Sequence, residues 1–231
     1  MCGKENRLIG YSERGVMNAL FYSIANDKTE MENFLKLTGQ SFSLQDDYKI
    51  YMEHSLSQFG TPDAVIVDSK YVFFIEAKVC ANNHKWTLET ELEDFEKYKN
   101  GNADENGLFV QLYWKTLLQH IDADGGAQDT LVSRTRKIGS NEVVTDFFKK
   151  IKDKTPYYIG IIPTSKTLVG LAPDKRSDLE ESFGNNYKKL FLISWEKIDD
   201  SFSDKEPCSD FAKTMKYNRN QIYIKEENNK N

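Results

Sequence analysis

The first clear pattern along the chain is a helical one at residues 12–24. Val16, Leu20 and Ile24 recur there at the spacing of one helix face, and Ser12 can cap the first turn. Apolar stripes between polar positions predict further helices over residues 29–37, 87–99, 108–121, 140–152 and 210–215. Several amphipathic helices therefore cover a buried core.

Short runs rich in valine, isoleucine, phenylalanine and tyrosine predict β-strands. These runs cover residues 48–58, 63–68, 71–80, 157–162 and 190–195, with a short strand around 222–224. Helices and strands in this order predict an α/β fold with a mixed central sheet flanked by helices. Neither an internal repeat nor a linker divides the chain, so we predict one domain over residues 1–231, with a disordered tail at about 226–231.

The composition is that of a folded chain, and it bears on the membrane location of the protein and the redox state of its cysteines. The 231 residues are 39% hydrophobic and 29% charged, which is ordinary for a globular protein. No apolar run approaches the roughly 18 to 20 residues that span a bilayer, so we expect a cytoplasmic protein without a membrane partner. The three cysteines are far apart and form no CxxC pair, which indicates reduced thiols rather than disulfides or a thiolate zinc site.

Three charged residues interrupt the two strand-like runs at 63–68 and 71–80. With Ser69 and Lys70 as a two-residue connection, Asp63 lies directly opposite Glu76, and Lys78 shares the face of Glu76. Two carboxylates about 5 Å apart repel by about 3 kcal/mol at an effective dielectric near 20. Lys78 can neutralise one carboxylate, and the second negative charge remains unless a carboxylate takes up a proton or a divalent cation lies between the two. The alternative is a salt bridge between Glu76 and Lys78, with Asp63 merely following the proline turn.

The stretch Pro62-Asp63 followed by Glu76-Ala77-Lys78 resembles the motif of the PD-(D/E)xK nuclease superfamily, which includes restriction endonucleases. The resemblance implies a restriction endonuclease-like αβββαβ core. It also implies that Asp63 and Glu76 hold a divalent metal, Mg²⁺ or alternatively Mn²⁺, with the backbone carbonyl of Ala77 as a further ligand. Lys78 then orients or activates the attacking water.

Two helices supply further candidates by the same resemblance. The first helix of the superfamily often contributes a glutamate, and Glu13 matches it, although an acid in a first helical turn is also favoured by the helix dipole. A later helix often carries a glutamine, and Gln111 is the candidate. Lys115 stands where some members have a tyrosine, one turn from Gln111 and within reach of a phosphate. The alternative for both is an amphipathic helix with incidental polar residues.

Basic residues gather between positions 134 and 154, although the net charge of −5 argues against a non-specific nucleic-acid coat. Arg134, Arg136 and Lys137 are candidate phosphate contacts together with Lys115, and the alternative is a solvated helix face. We therefore expect a metal-dependent nuclease that hydrolyses phosphodiester bonds in DNA, for which a homodimer is one open arrangement. The rival is a non-catalytic nucleic-acid-binding or interaction module that keeps the nuclease fold.

Overall fold

A computed structural model describes residues 12–79, 86–101, 106–163, 168–205 and 208–222. Within these ranges the helices are α1 (Ser12–Ile24), α2 (Lys28–Lys36), α3 (Leu88–Lys99), α4 (Leu108–Leu117), α5 (Glu142–Ile151), α6 (Pro173–Phe183), α7 (Trp195–Phe202) and α8 (Ser209–Ile222). The strands are β1 (Lys49–Met52), β2 (Ala64–Val67), β3 (Tyr71–Ala77), β4 (Gly126–Asp129), β5 (Arg134–Lys137), β6 (Thr155–Ile162) and β7 (Leu190–Ser194). None of the helices in these ranges has both the length and the apolar character required to cross a membrane.

Five strands form one mixed sheet in the order β1-β2-β3-β6-β7. The β1–β2 and β2–β3 pairs are antiparallel, whereas β6 runs parallel to β3 and β7 runs parallel to β6. Strands β4 and β5 form a separate antiparallel ribbon. The prediction of an α/β fold with a mixed central sheet and flanking helices is confirmed.

The sheet is buried on both faces because helices cover each side. Successive side chains of a strand point to opposite faces, so Phe73 and Ile75 pack into one apolar cluster with residues of α1, α2, α7 and α8. Val72 and Phe74 pack into the other cluster with residues of α3, α4, α5 and α6. This double burial explains why β3 reads as a nearly continuous apolar run.

A glycine in β6 lets α4 lie close to the sheet. Gly160 is paired with Glu76 across the β3–β6 ladder. A Cβ atom at this position would lie 2.7 Å from Leu192 Cδ2 and 3.0 Å from Leu108 Cδ2, which is too close for an unshifted side chain. The first turn of α4 therefore rests directly on the strand next to β3, and the polar residues further along α4 are brought within reach of β3.

The predicted strand at residues 48–58 is wrong beyond Met52. Glu53 and Ser57 have φ values of 49° and 56°, which break an extended strand, and a 3₁₀ turn follows at Ser57–Phe59. The predicted strand at 222–224 is wrong for Ile222, which ends α8, while residues 223 and 224 lie outside the described residues. The predicted tail at about 226–231 also lies outside them.

Candidate active site

The β2–β3 hairpin has the predicted strand alignment. Val67 pairs with Val72 and Ala64 pairs with Ile75, and the Asp68 N–H donates a 2.9 Å hydrogen bond to the Tyr71 carbonyl at the turn. One further step along the same register aligns Asp63, the residue before β2, with Glu76. The two-residue connection at Ser69 and Lys70 thus sets the alignment on which the candidate site depends.

The side chain of Asp63 is tied to the end of β3. Asp63 Oδ2 accepts a 2.7 Å hydrogen bond from the Ala77 N–H, and its own carbonyl accepts one from the Glu53 N–H at 3.1 Å. Burial, followed by the nearby charge of Glu76, raises the pKa of Asp63 to about 6, while the Ala77 N–H and Lys78 act in the opposite direction. Ionisation of Asp63 therefore costs free energy in this environment.

Glu76 is neutralised by a lysine other than the one expected. Its carboxylate is 2% exposed, and Glu76 Oε1 lies 2.7 Å from Lys115 Nζ, which is fully buried. The sequence suggested Lys78 as the compensating charge and Lys115 as a phosphate contact. Because Lys115 is enclosed between α4 and β3 with an acidic partner, it does not offer its charge to a phosphate in this conformation.

Lys78 is fixed at three points. Its Nζ donates a 3.0 Å hydrogen bond to Gln111 Oε1 on α4. Its backbone N–H donates to the Ile161 carbonyl at 2.8 Å, and its own carbonyl accepts a 2.9 Å hydrogen bond from Trp195 Nε1. The structure therefore brings the predicted Lys78 and Gln111 into direct contact at the end of β3.

Glu13 reaches the same place from the first turn of α1. Burial is the main cause that raises the pKa of Glu13 to about 7; Lys78 lowers it, whereas the charges of Asp63 and Glu76 raise it further. The Val79 N–H also acts on the Glu13 carboxylate through a hydrogen bond. Glu13 thus joins the electrostatic cluster at the carboxyl end of β3; its part in a nuclease site stays a prediction.

Several residues of this region were missed from the sequence. Glu91 on α3 accepts hydrogen bonds from Trp86 Nε1 at 2.7 Å and from the Leu108 N–H at the start of α4, and burial raises the pKa of Glu91. Trp195 on α7 holds the Lys78 carbonyl. The placements of Glu91 and Trp195 depend on contacts between distant elements, and no local pattern signals them. Lys115 was named as a phosphate contact because it lies four residues after Gln111 on the same helix face, but its pairing with Glu76 was missed.

The basic residues of the β4–β5 ribbon divide into two groups. Arg136 is buried, its Nε donates a 3.1 Å hydrogen bond to Asp129 Oδ2, and its guanidinium lies 3.8 Å from the centre of the Trp114 ring. The predicted phosphate contact at Arg136 is therefore replaced by an internal ion pair. Arg134 and Lys137 are exposed, and their contact with nucleic acid stays a prediction.

The oxygen atoms of this site suit a hard cation. Mg²⁺ is usually held by one or two carboxylates together with water and substrate phosphate, and Asp63 and Glu76 supply two carboxylates. Glu76 Oε1 is buried and has no hydrogen-bond partner in the described part of the chain, although Lys115 is near. No group of three or more histidine, cysteine, aspartate or glutamate residues within the described ranges is placed to hold a metal by itself.

Comparisons of the chain with models of protein families, with curated proteins and with solved structures give no match. The likeness to the PD-(D/E)xK superfamily stays a prediction that rests on the residues and contacts given above.

Proposed function

We propose that the protein is a metal-dependent nuclease that hydrolyses phosphodiester bonds, with DNA as its substrate. One observation carries the proposal: the β2–β3 register, extended by one residue, aligns Asp63 with Glu76 of β3, and Lys78 directly follows the end of that strand. The approach of Glu13 from α1 and the hydrogen bond from Lys78 to Gln111 add to it. Convergent, buried ionisable groups at one point of a sheet are more typical of function than of packing.

The order of elements supports the same reading. Helix α1, strands β1 to β3, helix α4 and strand β6 occur in the αβββαβ order of a restriction endonuclease-like core, with α2, α3, the β4–β5 ribbon and α5 as additions between them. In that core the motif residues stand on the second and third strands; here Asp63 directly precedes β2 and Glu76 lies on β3. The finer assignment of this fold is part of the proposal, and it goes beyond the mixed α/β sheet described above.

The residues of the chain have distinct parts in the proposed hydrolysis. The Lys78 ammonium has three N–H donors, of which one is directed to Gln111, so others can bind a phosphate oxygen or the attacking water. Gln111 keeps that ammonium oriented. With a pKa of about 7, Glu13 can take up or release a proton at its carboxylate near neutral pH, as a general acid or base requires.

The residues that would hold Mg²⁺, or Mn²⁺, are Asp63 and Glu76, with the Ala77 carbonyl as the third ligand suggested by the resemblance. When bound, such an ion polarises the phosphate and lowers the pKa of water. The raised pKa of Asp63 fits this assignment. A bound cation would offset both the desolvation cost of the buried Asp63 carboxylate and its repulsion by Glu76.

Cleavage of labelled DNA tests the proposal. Purified protein is incubated with single- and double-stranded DNA in Mg²⁺, in Mn²⁺ and in EDTA, beside Asp63→Ala and Lys78→Ala. We expect metal-dependent cleavage by the wild-type protein and a loss of at least about a hundredfold in each variant, the scale of an electrostatic catalytic group. Cleavage that survives both substitutions would come from a contaminant or another site and would contradict the proposal.

A second candidate is a non-catalytic binding or interaction module, and the Glu76–Lys115 ion pair favours it. This pair neutralises one of the two carboxylates without a metal. If the protein is such a module, we expect no cleavage with Mg²⁺ or Mn²⁺ and no change in melting temperature on addition of Mg²⁺. If it is a nuclease, we expect Mg²⁺ to raise the melting temperature of the wild-type protein and to leave that of Asp63→Ala unchanged.

A further inference from the structure

Lys115 is unusual because its whole side chain is buried while it carries a charge. Lysine is rarely enclosed in a protein unless an acid is beside it, and here Glu76 Oε1 lies at 2.7 Å. Helix α4 supplies both Lys115 and Gln111, so one helix face touches the two motif residues at the carboxyl end of β3: Gln111 contacts Lys78 and Lys115 contacts Glu76. Lys115 is thus part of the candidate site although it faces away from solvent.

The backbone at Gly60 makes room for the ammonium group. Gly60 has a φ of +84°, and a Cβ atom there would lie 2.9 Å from Lys115 Nζ and 3.3 Å from Cε3 of Trp114. A side chain at this position would therefore press on the lysine. Gly60 also begins the segment Gly60-Thr61-Pro62 that leads into Asp63. The loop that delivers one carboxylate of the site also encloses the cation that neutralises the other.

The Glu76–Lys115 ion pair is not expected to add much to the stability of the fold. Neither Lys115 Nζ nor Glu76 Oε1 has a hydrogen-bond partner among the described residues, despite their short separation. A buried ion pair repays the cost of desolvation only when further hydrogen bonds satisfy its atoms, and apolar replacements of such pairs are often neutral or stabilising. The positive charge of Lys115 beside Glu76 should therefore weaken the binding of any other cation to Glu76.

We infer that Lys115 is an internal cation that competes with the divalent metal for Glu76 and thereby sets the metal affinity of the site. This inference rests on the proposed function and concerns the binding step that precedes any hydrolysis. In the metal-free protein the ammonium balances Glu76. An arriving divalent cation has to share or displace that ammonium, so it binds more weakly than it would to Glu76 alone.

Calorimetric titration of Mn²⁺ into the metal-free protein tests the inference. Lys115→Met keeps the length and apolar stem of the side chain and removes the charge. We expect Lys115→Met to bind Mn²⁺ at least tenfold more tightly than the wild-type protein, and to show a larger rise in melting temperature at saturating Mn²⁺. Loss of the cation leaves the buried Glu76 without its partner, so the metal-free variant should melt at a lower temperature whether or not the lysine affects metal binding. The affinity decides: a Mn²⁺ affinity that is unchanged or reduced in Lys115→Met would overturn the inference.

Three further proteins sharpen the experiment. Lys152→Met removes an exposed lysine and one unit of charge, and it should keep the wild-type affinity. Lys115→Gln gives the same test if Lys115→Met does not fold, because it retains a polar end and also lacks the charge. The double variant Glu76→Gln with Lys115→Met should lose the gain in affinity; a gain that persists would show that Lys115 acts through another group and would overturn the inference.

The cleavage assay separates this inference from the proposed function. Metal-dependent cleavage by the wild-type protein, together with unchanged Mn²⁺ affinity in Lys115→Met, defeats the inference alone. Absence of Mn²⁺ binding in both the wild-type protein and Lys115→Met defeats both.

Discussion

At the scale of single residues, the candidate site is a group of carboxylates whose ionisation is costly in the metal-free protein. Burial is the largest cause for both Asp63 and Glu13, whose pKa values rise to about 6 and about 7. Surface aspartates and glutamates lose their protons near pH 4. On the proposal of a metal site, binding of a cation would displace these protons.

The raised pKa of Asp63 predicts how stability depends on pH. In the unfolded chain Asp63 ionises near pH 3.8, whereas the folded protein holds the proton to about pH 6. Between these values a rise in pH favours the unfolded state, so this group lowers the free energy of unfolding by up to about 3 kcal/mol above pH 6. Asp63→Asn should remove that loss and be more stable than the wild-type protein at pH 8 without metal, while its amide oxygen still accepts from Ala77.

Urea unfolding at pH 4, 6 and 8 in EDTA measures this effect. The control is Asp47→Asn, which changes an exposed aspartate and should follow the wild-type curve. A variant Asp63→Asn that is less stable than the wild-type protein at pH 8 would show that the Asp63 charge stabilises the fold and would remove the reason to expect a cation beside it.

At the scale of secondary-structure elements, the β4–β5 ribbon is attached to the rest of the protein by polar contacts. Arg136 Nη1 donates a 2.6 Å hydrogen bond to the Gln58 carbonyl and its Nη2 donates to Tyr98 Oη at 2.9 Å, in addition to the ion pair with Asp129. The ribbon is thereby joined to the loop that leads to Asp63. All three nitrogen atoms of the Arg136 guanidinium therefore donate hydrogen bonds within the protein.

Arg136→Met should destabilise the protein by about 3 kcal/mol, because it leaves the fully buried Asp129 without its cationic partner. Lys137→Met, on the exposed side of the same strand, should change the free energy of unfolding by less than about 0.5 kcal/mol. Chemical denaturation of the two variants gives the comparison. Equal stability of the two variants would contradict the structural role of Arg136.

At the scale of the whole molecule, the sequence predicts the central sheet better than its surroundings. The strands β2, β3, β6 and β7 were predictable because each is a short apolar run, and the β2–β3 register followed from the two-residue connection. The β4–β5 ribbon was not, since its inward residues include Asp129 and Arg136, which are polar and satisfied only by each other and by distant groups. Helix α6 was missed because Leu179 and Phe183 alone face the core.

Within the candidate site, too, local patterns were predictable and contacts between distant elements were not. Asp63, Glu76 and Lys78 were predicted as site residues because they interrupt apolar runs and match one motif. Glu13 was predicted from the resemblance together with its place on the apolar stripe of the first helix, and Gln111 from the resemblance alone. The pairing of Lys115 with Glu76 could not be predicted, since it depends on how closely α4 approaches the sheet over Gly160 and on the space beside Gly60. Packing distances between elements are not encoded in any local pattern.

The most direct test of the account is an anomalous difference map from crystals grown with saturating Mn²⁺. We predict a peak at about 2.1 Å from carboxylate oxygens of both Asp63 and Glu76, and no peak at this position in Asp63→Asn. A map in which Mn²⁺ binds elsewhere or not at all, while Lys115 Nζ stays on Glu76 and Asp63 stays on the Ala77 N–H, would contradict the claim that the β2–β3 hairpin builds a metal site.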